Sequence, residues 1–349
     1  MQVGQDWIRR SKPVTSEVYD TYWRFACERQ EIYFRKIDGS PSPWTEDTIL
    51  GAYRFTNAYR AADRVSQYLI RRVIYSKGEC VDPDEILFRV LLFKFFNRIE
   101  TWELLEHELC SVRWSAFSFK EYDRILTRAI DSGKRIYSAA YIMPVCNAYA
   151  DGRKHRSHLR LIEKMVRDGM AQRLTVANQM ADVFNILRTY PMLGDFLAFQ
   201  FTIDLNYSAL TDFSEGEFVL PGPGARDGLR KVFVDPGGYT DADLVRYVAD
   251  RQEEEFARCG LRFRSLWGRR LQLIDCQNLF CEVDKYARIR HPNVLGLSGR
   301  MRIKQKYNSN GSSPAPWFPP NWKLNEKIRR DRGESASREA DDGLFRVFA

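Results

Sequence analysis

Asp82-Pro83-Asp84-Glu85-Ile86-Leu87-Phe88-Arg89-Val90-Leu91-Leu92-Phe93-Lys94-Phe95-Phe96-Asn97 reads as a helix from its first residue. Asp82 suits the cap, since a short carboxylate accepts from the orphan amides of a first turn, and Pro83 has no amide to leave unpaired. Phe88, Leu91, Leu92, Phe95 and Phe96 then recur at intervals of three and four, the period of one helical face. The same period runs outward in both directions. Over residues 16–188 Gly and Pro are sparse and strand signals weak, with helical patterns at 45–75, 114–133 and 159–168 and a basic loop at 152–157. Residues 191–207, a segment opened by Asp241 that runs acidic to Cys259, and residues 271–290 continue the pattern. Nothing repeats at a fixed period, so a solenoid is excluded. The expected fold is all-α.

The chain has 349 residues, 44% of them hydrophobic and 13% aromatic, enough to build a sizeable core and to exclude a disordered or low-complexity protein. Lys and Arg outnumber Asp and Glu by 54 to 46, so a polyanionic partner is in character. Seven scattered cysteines without a CxxC pair argue against a disulfide framework and a thiolate zinc site; they read as reduced, buried thiols. Of four histidines only His155 and His158 are close, three apart in the basic loop. No metal and no cofactor is expected. No apolar run is long enough to span a membrane, and residues 1–13 lack the core of a signal peptide. A cytoplasmic protein with no membrane contact and no obligate protein partner is expected.

After residue 299 the composition shifts. Residues 308–313 read as a flexible linker and 314–322 as a proline-tryptophan stretch able to dock through Trp317 and Trp322. The expected organisation is an extension at 1–15, a helical catalytic region at 16–300 made of two lobes with a cleft between them, and a basic, partly disordered tail at 301–349.

Four stretches carry candidate chemistry. On a helix, Thr56, Arg60, Asp63 and Gln67 would share one polar face, bordered by Phe55, Tyr59, Val65, Tyr68 and Leu69. That face is either solvated, with an Arg60–Asp63 ion pair, or the wall of a pocket. At 218–229, Leu220-Pro221-Gly222-Pro223-Gly224-Ala225-Arg226 precedes a helix, where bare backbone amides can hold a phosphate; an ordinary tight turn uses the same letters. At 273–288, Cys276, Leu279, Phe280, Val283 and Ala287 make an apolar stripe. One flanking edge carries Asp275, Asn278, Glu282 and Lys285, the other Gln277, Cys281, Asp284 and Arg288, and amides beside carboxylates suit a cleft wall better than a salt-bridged surface. Finally, Gln200 and Asp204 lie one turn apart in a strongly apolar helix, as core partners or pocket groups.

Three of these stretches, in order, resemble the helical domain found with phage 5-hydroxymethyluracil DNA kinases, also described as alpha-glutamyl/putrescinyl-thymine pyrophosphorylases. The residues are Thr-Asn-x-x-Arg-x-x-Asp-Arg-x-x-Gln at 56–67, Gly-Pro-Gly-Ala at 222–225 and Cys-Glu-x-Asp-Lys-Tyr-x-Arg at 281–288. The resemblance spans about 22–290 and implies a helical DNA-glycosylase-like fold with a helix-hairpin-helix element. Two departures bear on chemistry. The sequence contains no Gly-x-x-x-x-Gly-Lys-Ser/Thr, so a P-loop kinase activity does not carry over. Where a bifunctional glycosylase has a Schiff-base lysine after the hairpin glycines stands Arg226, so strand cleavage is not expected.

The resemblance leads first to a monofunctional DNA glycosylase that flips out and excises a modified pyrimidine from phage-type double-stranded DNA, as in antiviral defence. Asp284 or Glu282, with Lys285 alongside, would act at the sugar. Thr56, Asn57, Tyr59, Arg60, Asp63, Gln67, Gln200, Asp204, Gln277, Asn278, Cys281 and Arg288 would line the base pocket. Arg64, Arg71, Gly222, Gly224, Ala225, Arg226 and Arg230 would hold the DNA backbone. The alternative keeps the base pocket and makes the protein a transferase that displaces pyrophosphate from an activated 5-hydroxymethyluracil, with Arg60, Arg64, Lys285 and Arg288 around the leaving group. A non-catalytic reader of modified DNA is the third reading.

Overall fold

A computed structural model describes residues 10–76, 82–308 and 315–333. Five helices organise it: α1 (Val18–Ile37), α2 (Pro83–Phe96), α3 (Asp195–Leu205), α4 (Pro223–Val232) and α5 (Leu273–Arg290). Further helices fill the intervals, and two short antiparallel strands, β1 (Val14–Thr15) and β2 (Phe233–Asp235), pair Val14 with Asp235 and Thr15 with Phe233. The fold is all-α, as the helical period predicts. The chain divides into two compact units, Met1–Asp63 with Val219–Ala315 and Arg64–Phe218 with Pro316–Ala349.

In the first unit α4 lies against α5 at a distance only glycine permits. A Cβ on Gly228 would stand 2.0 Å from the carbonyl oxygen of Phe280, and one on Gly224 would stand 3.1 Å from the Cys281 sulfur. The predicted stripe of α5, Cys276 through Ala287, is buried. Tyr22 of α1 lays its ring on Phe280 and donates its hydroxyl to the Cys276 carbonyl at 3.2 Å. A reciprocal cap between Gln272 and Asp275 starts α5.

In the second unit α2 behaves as its letters say. Asp82 accepts from the Asp84 amide at 2.9 Å, Pro83 occupies the first turn, and Asn97 ends the helix in the left-handed region at φ 48°. From Ile86 to Phe96 it is apolar and buried on nearly every side, with Arg89 half-buried and Lys94 a buried charge. Phe318 is fully buried in this unit, Trp317 donates its amide to Gln67 at 2.9 Å, and Trp322 meets Tyr207 edge-on. Both tryptophans therefore dock.

Several expectations are corrected. The stretch 45–75 is not one or two regular helices. Thr48–Ala52 is a single turn, residues 54–57 carry no helix, Arg60–Ala62 is a 3-10 turn, and Arg64–Tyr68 runs into a π-helical segment, Leu69–Ile74. The loop at 152–157 is shorter, because helix Lys154–Arg167 begins inside it. The acidic segment after Thr240 breaks at Arg251 into Asp241–Asp250 and Gln252–Arg258. Among the described residues no helix-hairpin-helix element is shown: Gly222 caps α4 with an ordinary φ of −75°, and the packing against α5 accounts for the glycines that follow. The described cysteines are free, but only Cys146 and Cys276 are buried; Cys27, Cys259 and Cys281 are half-buried and Cys110 is exposed. Cys80, residues 1–9, most of the 308–313 linker and residues 334–349 lie outside the described residues.

Candidate active site

Residues 54–63 leave the helical path because two short polar side chains claim their backbone. Asp63 accepts the Asn57 amide at 2.8 Å, and the Asn57 side-chain amide donates to the Ala62 carbonyl at 2.8 Å. Such local bonds compete directly with helix formation. The loop they tie is braced from two helices. From α1, buried Arg29 donates to the Thr56 carbonyl and to the Asn57 side-chain oxygen, both at 3.0 Å. From α5, Glu282 accepts the Thr56 amide at 3.1 Å and Lys285 at 2.5 Å.

Asp63 and Glu282 thus belong to one cluster with Arg29, Arg60 and Lys285. Burial pushes the Asp63 carboxyl up to about 7; the Asn57 amide opposes the rise, Glu282 reinforces it, and Arg29 and Arg60 oppose it. A carboxyl poised there exchanges protons at neutral pH. Burial lowers the affinity of Arg29 for its proton, and the charges of Asp63 and Glu282 restore part of it.

Thr56 Oγ1 and Gln277 Oε1 are among the buried side-chain atoms of this unit that make no hydrogen bond, as are Trp23 Nε1 and both amide atoms of Gln30 on α1. Buried polar atoms normally find partners, so a ligand's polar groups are the natural complement. Gln277 is held by its other end, donating toward the Cys281 sulfur at 3.5 Å and the Asn278 oxygen at 3.4 Å. Burial raises the Cys281 thiol to about 12, so it is not a nucleophile near neutrality.

The structure gives the other predicted site residues more constrained places. Asp284 has both oxygens engaged, one by Lys231 at 2.9 Å and the other by Arg288, and Lys231 also donates to the Asp284 carbonyl. It is a counter-ion between two cations. Asp275 accepts the Arg60 amide at 2.8 Å. Tyr59 is in the core, its hydroxyl bonded to the Arg269 carbonyl at 2.6 Å. Arg230 pairs with Asp241 at 2.7 Å, and Arg226 approaches the same carboxylate at 3.6 Å. Arg64, Gln67, Arg71, Gln200 and Asp204 belong to the second unit. There Asp204 pairs with buried Lys94 at 2.6 Å, and Tyr141 donates to Gln200 at 3.3 Å while its ring lies under Lys94. No group of three His, Cys, Asp or Glu suited to a metal occurs among the described residues.

Sequence reasoning misses Arg29, Lys231 and Lys94. A signal existed for the first two. Arg29 falls in step with Tyr22, Phe25 and Ile32 on the buried face of α1, and Lys231 follows Gly224 and Gly228 on the packing face of α4.

The comparisons with known proteins bear on what this cluster does. A "5-hmdU DNA kinase" of Bacillus phage SP10 is 25% identical over 299 residues, 80% of this chain and 46% of the relative. The chain thus spans less than half of that relative's length. No solved structure gives a significant match. The matching family model is described as "5-hmdU DNA kinase, helical domain" and covers residues 16–296. Both descriptions name group transfer to DNA and neither names a glycosidic bond, so the expectation of a DNA glycosylase, a hydrolase of N-glycosidic bonds, is overturned. With most of its length inside that match, the chain belongs to the family of the 5-hmdU DNA kinase helical domain.

Proposed function

We propose that this protein is a group-transfer enzyme acting on the 5-hydroxymethyl group of uracil in double-stranded DNA, replacing pyrophosphate on the activated group with an amine. The carrying observation is the Asp63–Glu282 pair set among Arg29, Arg60 and Lys285. Family membership and the name of the phage relative support the substrate class. In the step, the bond between the exocyclic carbon and oxygen breaks and pyrophosphate leaves with the electron pair. The amine forms the new carbon–nitrogen bond and gives up a proton. Asp63, able to take a proton near pH 7, is the base. Lys285 and Arg60 offset the charge that grows on the leaving group. Thr56 Oγ1 and Gln277 Oε1 meet polar edges of the base, which an amide or hydroxyl can read as donor or acceptor.

The test is a duplex carrying pyrophosphorylated 5-hydroxymethyluracil, incubated with amine donors and digested to nucleosides for mass spectrometry. The expected product is the amine adduct, still attached to its sugar, with pyrophosphate released. Asp63→Asn should slow its formation about a hundredfold or more. An unaltered nucleoside with every donor would refute the transferase. Because the relative is named a kinase, a parallel reaction supplies ATP and 5-hydroxymethyluracil DNA; gain of phosphate there, without amine exchange in the first, would replace transfer of the amine with phosphoryl transfer.

A further inference from the structure

No Asp or Glu occurs between Asp284 and Glu326, and Arg300, Arg302, Lys304 and Lys306 occupy alternate positions within that stretch. All four are exposed, and none has an ion-pair partner among the described residues. Around them Leu295, Leu297 and Met301 are 55%, 69% and 61% exposed, large apolar side chains held in water. Arg290 at the end of α5 is exposed as well.

The segment is nevertheless fixed along its length. The Ser298 amide donates to the buried Asp227 carboxylate of α4 at 2.8 Å, and Gly296 lies so close to Asp227 that a Cβ would come within 3.1 Å of it. Arg288 donates to the Arg302 carbonyl at 3.0 Å. Farther on, the Arg54 amide donates to Gln305 and the Tyr307 amide to Ala52, each at 3.0 Å, and Tyr53 bridges Lys306 in antiparallel fashion. Lys36 meets the Tyr307 hydroxyl at 3.1 Å. Backbone groups are tied down while the cationic side chains are left outside. Such a segment pays little ordering entropy when a partner arrives.

We propose that residues 290–306 form a basic strap that lies on the DNA duplex, with Arg300, Arg302, Lys304 and Lys306 neutralising backbone phosphates and Leu297 and Met301 pressing on the groove. This rests on the DNA reading above and adds a surface to it; positions beyond 296 fall outside the family match. Alternation suits a phosphate track. Side chains two apart in an extended chain face the same way at about 6.6 Å intervals, close to two nucleotide rises of about 3.4 Å. The apolar side chains sit among the cations as wedges do in groove-binding proteins. A membrane surface fits less well, because interfacial binding draws on a helix with a broad apolar face, and this segment is not helical.

The experiment measures binding of a short unmodified duplex by fluorescence anisotropy over about 50 to 200 mM salt. Two variants of the full chain are compared with the parent, each checked for folding by circular dichroism: Arg300→Ala/Arg302→Ala/Lys304→Ala/Lys306→Ala and Leu297→Ala/Met301→Ala. The quadruple variant should bind about a hundredfold more weakly at low salt and flatten the plot of log affinity against log salt by about 3 to 4 units, near 0.9 per lost phosphate contact. The apolar variant should bind about tenfold more weakly with the slope unchanged. A quadruple variant with the parent's affinity and slope would overturn the strap and leave the DNA reading standing. A parent that binds no duplex at any salt would overturn both. Loss of binding to phosphatidylserine vesicles, with duplex binding intact, would reassign the strap to a membrane.

Discussion

Helices α2 and α5 are each buried nearly all round, by opposite means. α2 encloses Ile86, Leu87, Phe88, Val90, Leu91, Leu92, Phe93, Phe95 and Phe96, and its buried charges are Glu85 near its start and Lys94. α5 encloses Asp275, Gln277, Glu282 and Asp284 beside its apolar stripe. Burying apolar surface stabilises a fold outright, whereas burying polar groups costs free energy unless each is satisfied. Thr56 and Gln277 each leave an atom unsatisfied beside or within α5. Under the function proposed above, α2 serves as scaffold and α5 carries the chemistry, because the polar groups that α5 encloses cost the fold more than an apolar face would.

The contrast can be broken in order of expected effect. Gly228→Ala forces a methyl into the Phe280 carbonyl and should cost about 4 kcal/mol or more, read as a fall in the urea midpoint. Gly51→Ala, with nothing within 4 Å, should stay within about 1 kcal/mol of the parent and lean toward stabilising. If both glycines respond alike, the α4–α5 seam is not closely packed. Phe88→Ala in α2 should cost about 3 to 5 kcal/mol while leaving turnover of the folded fraction as it was.

Asp63→Asn comes next, and its effect depends on pH. The folded carboxyl titrates near 7, above its unfolded value near 4, so the stability it contributes is complete below about pH 4 and is lost as pH rises through 7. The asparagine does not titrate. Chemical denaturation at pH 5 and pH 8 should therefore show the variant gaining on the parent by about 1 to 2 kcal/mol, allowing for partial exposure. Parallel stability curves would remove Asp63 as the neutral-pH base. The smallest stability change belongs to Gln277→Ala, within about 1 kcal/mol since its oxygen has no partner to lose, accompanied by weaker substrate binding. A cost equal to that of Phe88→Ala would make the polar face of α5 structural.

What the letters revealed follows from which interactions are local. The cap of α2, its period and the stripe of α5 depend on neighbours three or four residues away, and all were legible. The loop at 54–63 was not: Thr56, Arg60, Asp63 and Gln67 fit a helical face well, but Asn57 and Asp63 spend their side chains on that backbone, while Arg29 and Glu282 brace it from distant positions. Glu282 and Asp63 were both candidates, yet nothing in their spacing shows that they perturb one another. The letters left Asp284 and Glu282 level as candidate carboxylates; the ion pair of Asp284 with Lys231, far away in sequence, is what distinguishes their surroundings. Gly222 and Gly224 suggested phosphate contact; the close approach of α5 to Gly224 and Gly228 is a packing reason for glycine on α4 that the letters did not show.

The first unit is written in two instalments, with Arg64–Phe218 between them. During synthesis α1 leaves the ribosome well before α4 and α5 exist, and at about 5 to 20 residues per second the wait lasts roughly 10 to 50 s. For that interval Tyr22, Trp23 and Phe25, all buried in the finished protein, lack the partners Phe280, Phe256 and Tyr286 that later cover them. Until α4 and α5 arrive the apolar face of α1 is open to misassociation, and a chaperone that holds it would guard the unit in which the proposed chemistry is later assembled.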